Sequence, residues 1–312
     1  MTVGSLLGDL GKKLAERWLS LLVLPGALYL AVATGGHVLG HAHPFDADRL
    51  ARQITAWAKA PAMSSAGGQA VLLVAVLGAA AGAGLVAQAL GSTLERLTLA
   101  ADWRAWPGPL RRLAGWRVDR RRSRWNGAAV AYRELRETAA RARAAGQRTD
   151  GTARHAAQRA MMRIATEQPD RPTWSGDRLH AVATRLDCDR HLDLAALWPH
   201  LWLSLPDPVR AEVTVGRQAL SRATTLGGWA LLYALLTIWW WPAALLALVL
   251  ACTARGQTRK AADTYALLLE AAVTLHTGDL ARQLGIDHTG PVTPDTGDAL
   301  SAVLHRPRPG PS

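Results

Sequence analysis

The chain has 312 residues, 49% hydrophobic and 19% charged, with 36 basic and 24 acidic side chains and a formal net charge of +12. Its mean hydropathy of +0.04 conceals three stretches without Asp, Glu, Lys or Arg, at 18–45, 60–94 and 223–254. Uncharged runs of this length match the about 20 apolar residues that a bilayer-crossing helix needs. They argue against a purely soluble globule, a fibre, a disulfide scaffold or a wholly disordered chain.

The first run, Trp18 to Leu39, is apolar with Pro25-Gly26 near its middle, a kink that a membrane helix tolerates when its neighbours satisfy the freed backbone groups. Lys12, Lys13 and Arg17 before it, and Ala31-Val32-Ala33 within it, also fit a cleavable signal peptide, although the apolar run continues past that site. The second run, Gln69–Gly91, is rich in small residues. Gly78 and Gly82 form a GxxxG spacing that suits close helix packing, either on the first span or on another copy. As one helix, the 32 residues of the third run would be about 48 Å long, well beyond a ~30 Å hydrocarbon core. Its middle reads Trp239-Trp240-Trp241-Pro242, and tryptophan favours the membrane–water interface while proline suits the first turn of a helix. The sequence therefore predicts a hairpin, spans 219–240 and 242–254. A partly re-entrant form or a single tilted span is the competing arrangement.

The expected fold is all-α, an integral membrane protein with two transmembrane helical hairpins, about four spans, flanking a helical cytoplasmic domain. The expected divisions are an N-terminal hairpin at 1–92 (spans 18–39 and 69–91), a basic domain at 93–218, the second hairpin at 219–254, an amphipathic helix at 255–286 and a disordered tail at 287–312. Residues 93–222 carry 24 Arg against 14 acidic residues, and basic excess beside spans marks the cytoplasmic side. Both termini then lie inside the plasma membrane, with 40–68 and the Trp-rich tip outside. Within the basic domain the patterns predict helices at 130–145 and 153–167, and Leu194–Leu205 packs the domain core or docks on the membrane. In the tail helix, Tyr265, Leu268, Leu269, Ala272, Val273 and Leu280 recur at helical spacing.

The densest charge is Arg111–Arg124, whose seven arginines are Arg111, Arg112, Arg117, Arg120, Arg121, Arg122 and Arg124, with Trp103, Trp106 and Trp116 nearby. A solvated topogenic run, contact with anionic headgroups and nucleic-acid binding all fit such a run. The last is disfavoured because no nucleic-acid-binding fold accompanies the charge. His37, His41, His43 and Asp46 are weak candidates for a transition-metal site in the external connection, where a hydrated loop explains them equally. A second cluster, His180 with Asp187, Cys188, Asp189, His191 and Asp193, contains Arg190 and reads as local ion pairing. Cys188 and Cys252 sit in unlike surroundings and imply no disulfide. No nucleophile, zinc-hydrolase or phosphate-loop motif occurs, so neither a catalytic residue nor a cofactor is assigned.

Three segments carry a resemblance: PTWSGDRLHAV, LDLAALWPHLWLSLPDPVR, and TTLGGWALLYALLTIWWWPAALLALVL followed by AADTYALLLEAAVTLH. They resemble a family of uncharacterised bacterial multi-spanning integral membrane proteins with no known activity, over residues 170–285 and the N-terminal hairpin. Cys188, Asp189 and Arg190 depart from the more aromatic stretch expected there. The resemblance implies the multi-span fold and carries over no functional residue. The expected role is a membrane-anchored interaction or scaffold module, not an enzyme, with membrane lipid, an unidentified protein partner or a second copy as partners. The alternatives are an oligomeric pore and a metal-dependent membrane enzyme using the external histidines.

Overall fold

The computed structural model describes residues 23–59, 65–147, 151–287 and 290–304. Lys12, Lys13, Arg17 and the first residues of the expected first span lie outside them. The described chain is all-helical: α1 Leu24–Leu39, α2 Ala47–Ala58, α3 Ala66–Leu99, a 3-10 turn at Trp103–Ala105, α4 Gly108–Ala144, α5 Thr152–Ile164, α6 Trp174–Arg190, α7 Leu194–Ser204, α8 Asp207–Leu236, α9 Ala243–Gln283 and α10 Pro294–Leu304. It divides into two units, one comprising residues up to Leu94 together with Ser221–Gly256, the other Glu95–Leu220 together with the rest of the chain.

In the first unit, α1, α3, the end of α8 and the start of α9 surround one cluster. Ala87, Trp229, Leu232, Tyr233, Leu236, Ala243 and Ala247 are buried, with Tyr29, Val32, Ala83 and Leu250 packed on them. Tyr29 meets Tyr233 edge-on at 5.4 Å and Trp229 at 6.1 Å. The chain turns between Leu236 and Ala243, and α9 runs back along α8: a Cβ built on Gly227 would lie 3.8 Å from that of Ala254. Backbones meet directly at three glycines of this unit, one of them Gly91, where a Cβ would stand 2.6 Å from the Thr225 Cα. A Cβ at Gly26 would stand 2.0 Å from the Ala80 carbonyl oxygen, and one at Gly228 2.2 Å from that of Ala87, so no larger residue fits either place unless the helices part.

Gly78 and Gly82 are different. Nothing lies within 4 Å of a Cβ at either, so the expected GxxxG face packs on no described residue and α1 approaches α3 through Ala80 instead. Along 78–84, where every residue is Ala or Gly, spacing alone does not say which face is used.

Of the four expected spans, only α3 among the described helices is long and apolar enough to cross a membrane. The described part of α1 is apolar but only 16 residues long, with Pro25 in its first turn. The apolar parts of α8 and α9 are the ends of helices that continue into charged sequence, α8 past Arg222 and Arg217, α9 past Arg255 and Arg259. The separate helix expected at 255–286 is therefore the continuation of α9.

The second unit has an aliphatic core. Leu192, Leu197, Leu201, Val182, Val273 and Leu300 are fully enclosed, and burying each side chain contributes about 1.5–3 kcal/mol. The face expected on the tail helix is the one used: Leu269, Ala272, Val273 and Leu280 are buried, with Tyr265 and Leu268 packed beside them. Leu194–Ser204 supplies core through Leu197 and Leu201 on one face of α7, while Leu203 on another stays exposed. Thr173 caps α6 by accepting from the Gly176 N–H, and Asp193 caps α7 by accepting from the Ala195 N–H. The expected helices at 130–145 and 153–167 appear as the end of the 37-residue α4 and as α5.

The expected disordered tail is corrected over its middle. Pro294–Leu304 forms α10, held because Leu300 enters the core and His191 Nδ1 lies 3.2 Å from the Asp298 carboxylate. Pro, Gly and Thr in the surrounding sequence mask this one apolar face. Leu300→Ala should lower the unfolding free energy of the detergent-solubilised chain by about 2–5 kcal/mol. An unchanged melting curve would show that α10 contributes no core.

Candidate functional site

Two regions hold the residues singled out in the sequence. In the first unit they lie at one end, where the loop after α1 meets the turn between α8 and α9. His41 Nε2 donates to the Ile238 carbonyl at 3.0 Å, Trp240 Nε1 donates to the Pro44 carbonyl at 3.1 Å, and Phe45 meets Trp241 edge-on at 5.9 Å. Asp46 is taken up as the N-cap of α2, accepting from the Arg49 N–H at 2.8 Å. His43 and Asp46 line a shallow hollow with Arg49, Arg52 and Gln53.

The expected metal candidates His37, His41, His43 and Asp46 are thus not gathered. Among the described residues no three His, Cys, Asp or Glu side chains come together as a metal-holding group. The reason is local: His41 is turned to the hairpin carbonyl and Asp46 to a backbone amide. The second acidic cluster is spent likewise, Asp193 on a helix cap, Arg190 on Thr274 and His191 on Asp298, with His191 itself the left-handed end of α6 at φ 53°.

Away from α2, along the charge-free runs of α1, α3, α8 and α9, the surface of the first unit is apolar. Val71, Val74, Leu248 and Val249 are each between 60% and 71% exposed, and Leu24, Leu28, Leu231, Leu235, Leu245 and Leu246 join them. Only 17% of the apolar window of α3 is buried, unlike the core helix of a soluble protein. Leu232 and Leu236 join small residues and aromatic rings in the interior, while many other Leu and Val side chains point out.

In the second unit the arginine run divides by function. Arg117 Nε donates to the Pro172 carbonyl at 3.3 Å, Arg122 Nε to that of Pro169 at 3.3 Å, and Arg121 to those of Arg171 and Ile164 at 2.8 and 2.6 Å. Trp125 Nε1 donates to the Ala165 carbonyl at 3.1 Å. These side chains pin the irregular segment 164–173 against α4, so Arg117, Arg121 and Arg122 are engaged within the unit. Arg111, Arg112, Arg120 and Arg124 remain on the exposed face of α4. There Arg120 stacks over Trp116 at 5.3 Å, in line with the exposed Leu113 and Leu110.

The tightest electrostatic feature is a pair that sequence spacing did not reveal. Asp177, in the first turn of α6, accepts the Asp170 and Arg171 backbone N–H groups at 2.9 and 2.6 Å, and Arg121 Nη1 stands 2.5 Å from its other oxygen. Burial raises the Asp177 carboxyl above its usual value despite Arg121 and the two amides, and burial likewise lowers the Arg121 guanidinium. Desolvation thus exceeds the attraction from both sides, as expected for an enclosed ion pair. Further along α6, Arg178 meets Asp263 at 2.6 Å and Arg185 bridges Glu167 and Glu270 at 3.4 and 2.7 Å, sewing α6 to α9. The readable signal was Thr173, a cap that fixes where α6 begins and so puts Asp177 in its first turn. The partners lie too far along the chain for spacing to find. Chemically, the cluster neutralises a row of carbonyl dipoles and one buried carboxylate.

A groove of about 370 Å³ lies between Trp198, Pro199 and Trp202 of α7, Val213, Thr214, Arg217 and Gln218 of α8, and Tyr265 of α9. Arg217 at its edge is paired with Glu95 at 2.5 Å. No family model matches the chain, and neither the curated proteins nor the solved structures contain a match to it.

Arg121→Met removes the donor to the Arg171 and Ile164 carbonyls together with the counter-charge of Asp177 and should cost about 3–5 kcal/mol of stability, whereas Asp177→Asn, which copies the protonated carboxyl that burial favours and keeps an acceptor for the Asp170 and Arg171 N–H groups, should cost much less. Because the folded carboxyl is raised, the folded chain holds the proton more firmly than the unfolded one, so this group's contribution weakens as pH rises above the ordinary carboxylate value. Denaturation midpoints of the full chain across pH check both statements, and equal losses in the two variants would contradict the first.

Proposed function

We propose that the chain is an integral plasma-membrane protein in which the first unit is a four-span anchor and the basic second unit is a cytoplasmic interaction or scaffold module. The observation that carries this reading is the exterior of the first unit, where large aliphatic side chains face outward and no charged residue occurs between 60 and 94. Soluble monomers rarely expose contiguous apolar patches beyond a few hundred Å². The helix–turn–helix at 221–256 supports two further spans with Arg222 and Arg255 at its open end and three tryptophans at its closed end. The two connections meet at that closed end through His41 and Trp240, which supports placing both on the outer side and both termini inside.

Arg111, Arg112, Arg120 and Arg124, with Trp116, Leu113 and Leu110 beside them, have the chemistry of an anionic-headgroup contact, each arginine contributing on the order of 1 kcal/mol near such a surface. An environment-sensitive dye at Arg112→Cys in the reconstituted chain should shift when phosphatidylglycerol is added to phosphatidylcholine vesicles, and lose that shift at high salt. An equal signal in neutral vesicles would reject the contact.

Self-association is a second reading, favoured by the open Gly78/Gly82 face, and an oligomeric pore would be its strongest form. Cross-linking in native membranes followed by mild extraction separates the two. The scaffold reading expects a different protein in fixed ratio, unaffected by Gly82→Leu. Cross-linked copies of this chain alone, lost on Gly82→Leu, would replace it by the oligomer. The same extract from cells lacking any stoichiometric cross-linked product would reject both.

A further inference from the structure

The helix α2 has no buried residue, yet its sequence is sharply two-sided. At 100° per residue, Leu50, Ile54 and Trp57 share one face with Ala47, Ala51 and Ala58, while Asp48, Arg49, Arg52 and Gln53 occupy the other. Ile54 is 53% and Trp57 43% exposed. Twelve residues are too few to hold a helix in water by propensity alone, so an apolar face on which Leu50 is half-buried and Ile54 and Trp57 stay open among the described residues needs an environment.

The position of α2 says which environment. Its N-cap follows directly on Pro44 and Phe45, and the Trp240 indole bonds to Pro44 while Phe45 meets Trp241. The helix therefore starts at the level of the Trp239–Trp241 belt, the depth at which indole rings prefer to sit in a bilayer. The exposed Phe45, Ile238 and Trp241 join it to the apolar exterior of the unit. Both signs of charge on the opposite face, Asp48 with Arg49 and Arg52, suit a zwitterionic headgroup layer.

We propose that α2 is an interfacial helix, its Leu50–Ile54–Trp57 face immersed in the outer headgroup layer of the bilayer that the first unit spans. This rests on the membrane reading above. It makes the 40–68 connection a float that fixes the depth and tilt of the first hairpin, where the sequence read a hydrated loop.

The test uses the full chain with Cys188→Ser and Cys252→Ser, both exposed positions, reconstituted in phosphatidylcholine–phosphatidylglycerol vesicles. Single nitroxide labels go at Ile54→Cys and Trp57→Cys on one face, Arg52→Cys and Gln53→Cys on the other, and Val74→Cys on α3. Collisions with oxygen and with a water-soluble nickel chelate are compared. Labels at 54 and 57 should favour oxygen over nickel severalfold more than those at 52 and 53, at a depth of roughly 5–10 Å. Nickel reaching all four alike overturns the proposal, with α2 in water. So does spin–spin coupling at 54 and 57 with both reagents excluded, which would mean that a second copy covers the face. The label at 74 separates the failures: if it too is open to nickel, the membrane reading falls with α2, and if it is shielded, only the placement of α2 does.

Discussion

A helix resolves its own backbone polarity internally, and what remains to be solvated is its side-chain surface. In the first unit that surface is largely Leu and Val, around a centre where Leu232 and Leu236 pack with Ala, Tyr and Trp. Water would charge about 25 cal/mol for every Å² of this exterior left exposed, whereas hydrocarbon would not. Close backbone approach at Gly26 and Gly228 and the Tyr29–Tyr233 ring contact are the kind of packing that lipid, which offers no hydrophobic gain between helices, would require.

The second unit has a conventional aliphatic core, and its many arginines are partly structural. Arg117, Arg121 and Arg122 satisfy carbonyls of a segment too irregular to pair its own backbone. The cost of enclosing Arg121 with Asp177 shows in both groups being pushed toward neutrality. What this arrangement secures is the position of α6, whose remaining charges reach α9 through Asp263 and Glu270. The arginines left over, on the outer face of α4, are the ones free to meet a partner.

Patterns of one helix or one run were legible in sequence. The charge-free stretches ending at 94 and spanning 223–254 coincide closely with the division into units at Leu94 and at Ser221–Gly256, and the buried face of α9 followed from its period. What depended on partners far along the chain was not legible. The role of Arg121 needs Asp177, His41 was drawn off by the turn at Ile238, and α10 is defined by a core that its own composition conceals. The two-sided pattern of α2 was present in sequence, but its charged residues and short length read as a hydrated connection. In α3 every position from Gly78 to Gly84 is small, so Ala80 could not be told from Gly78 as the contact.

The anchor, the end-on aromatic belt and the basic module form one account only if the exterior of the first unit is solvated by lipid. The most direct measurement is to wash native membranes at alkaline pH, which strips peripheral proteins, and ask where the chain goes. The account predicts that it stays with the membranes and is released only by detergent. A chain that enters the wash and remains folded and monodisperse in plain buffer would contradict it.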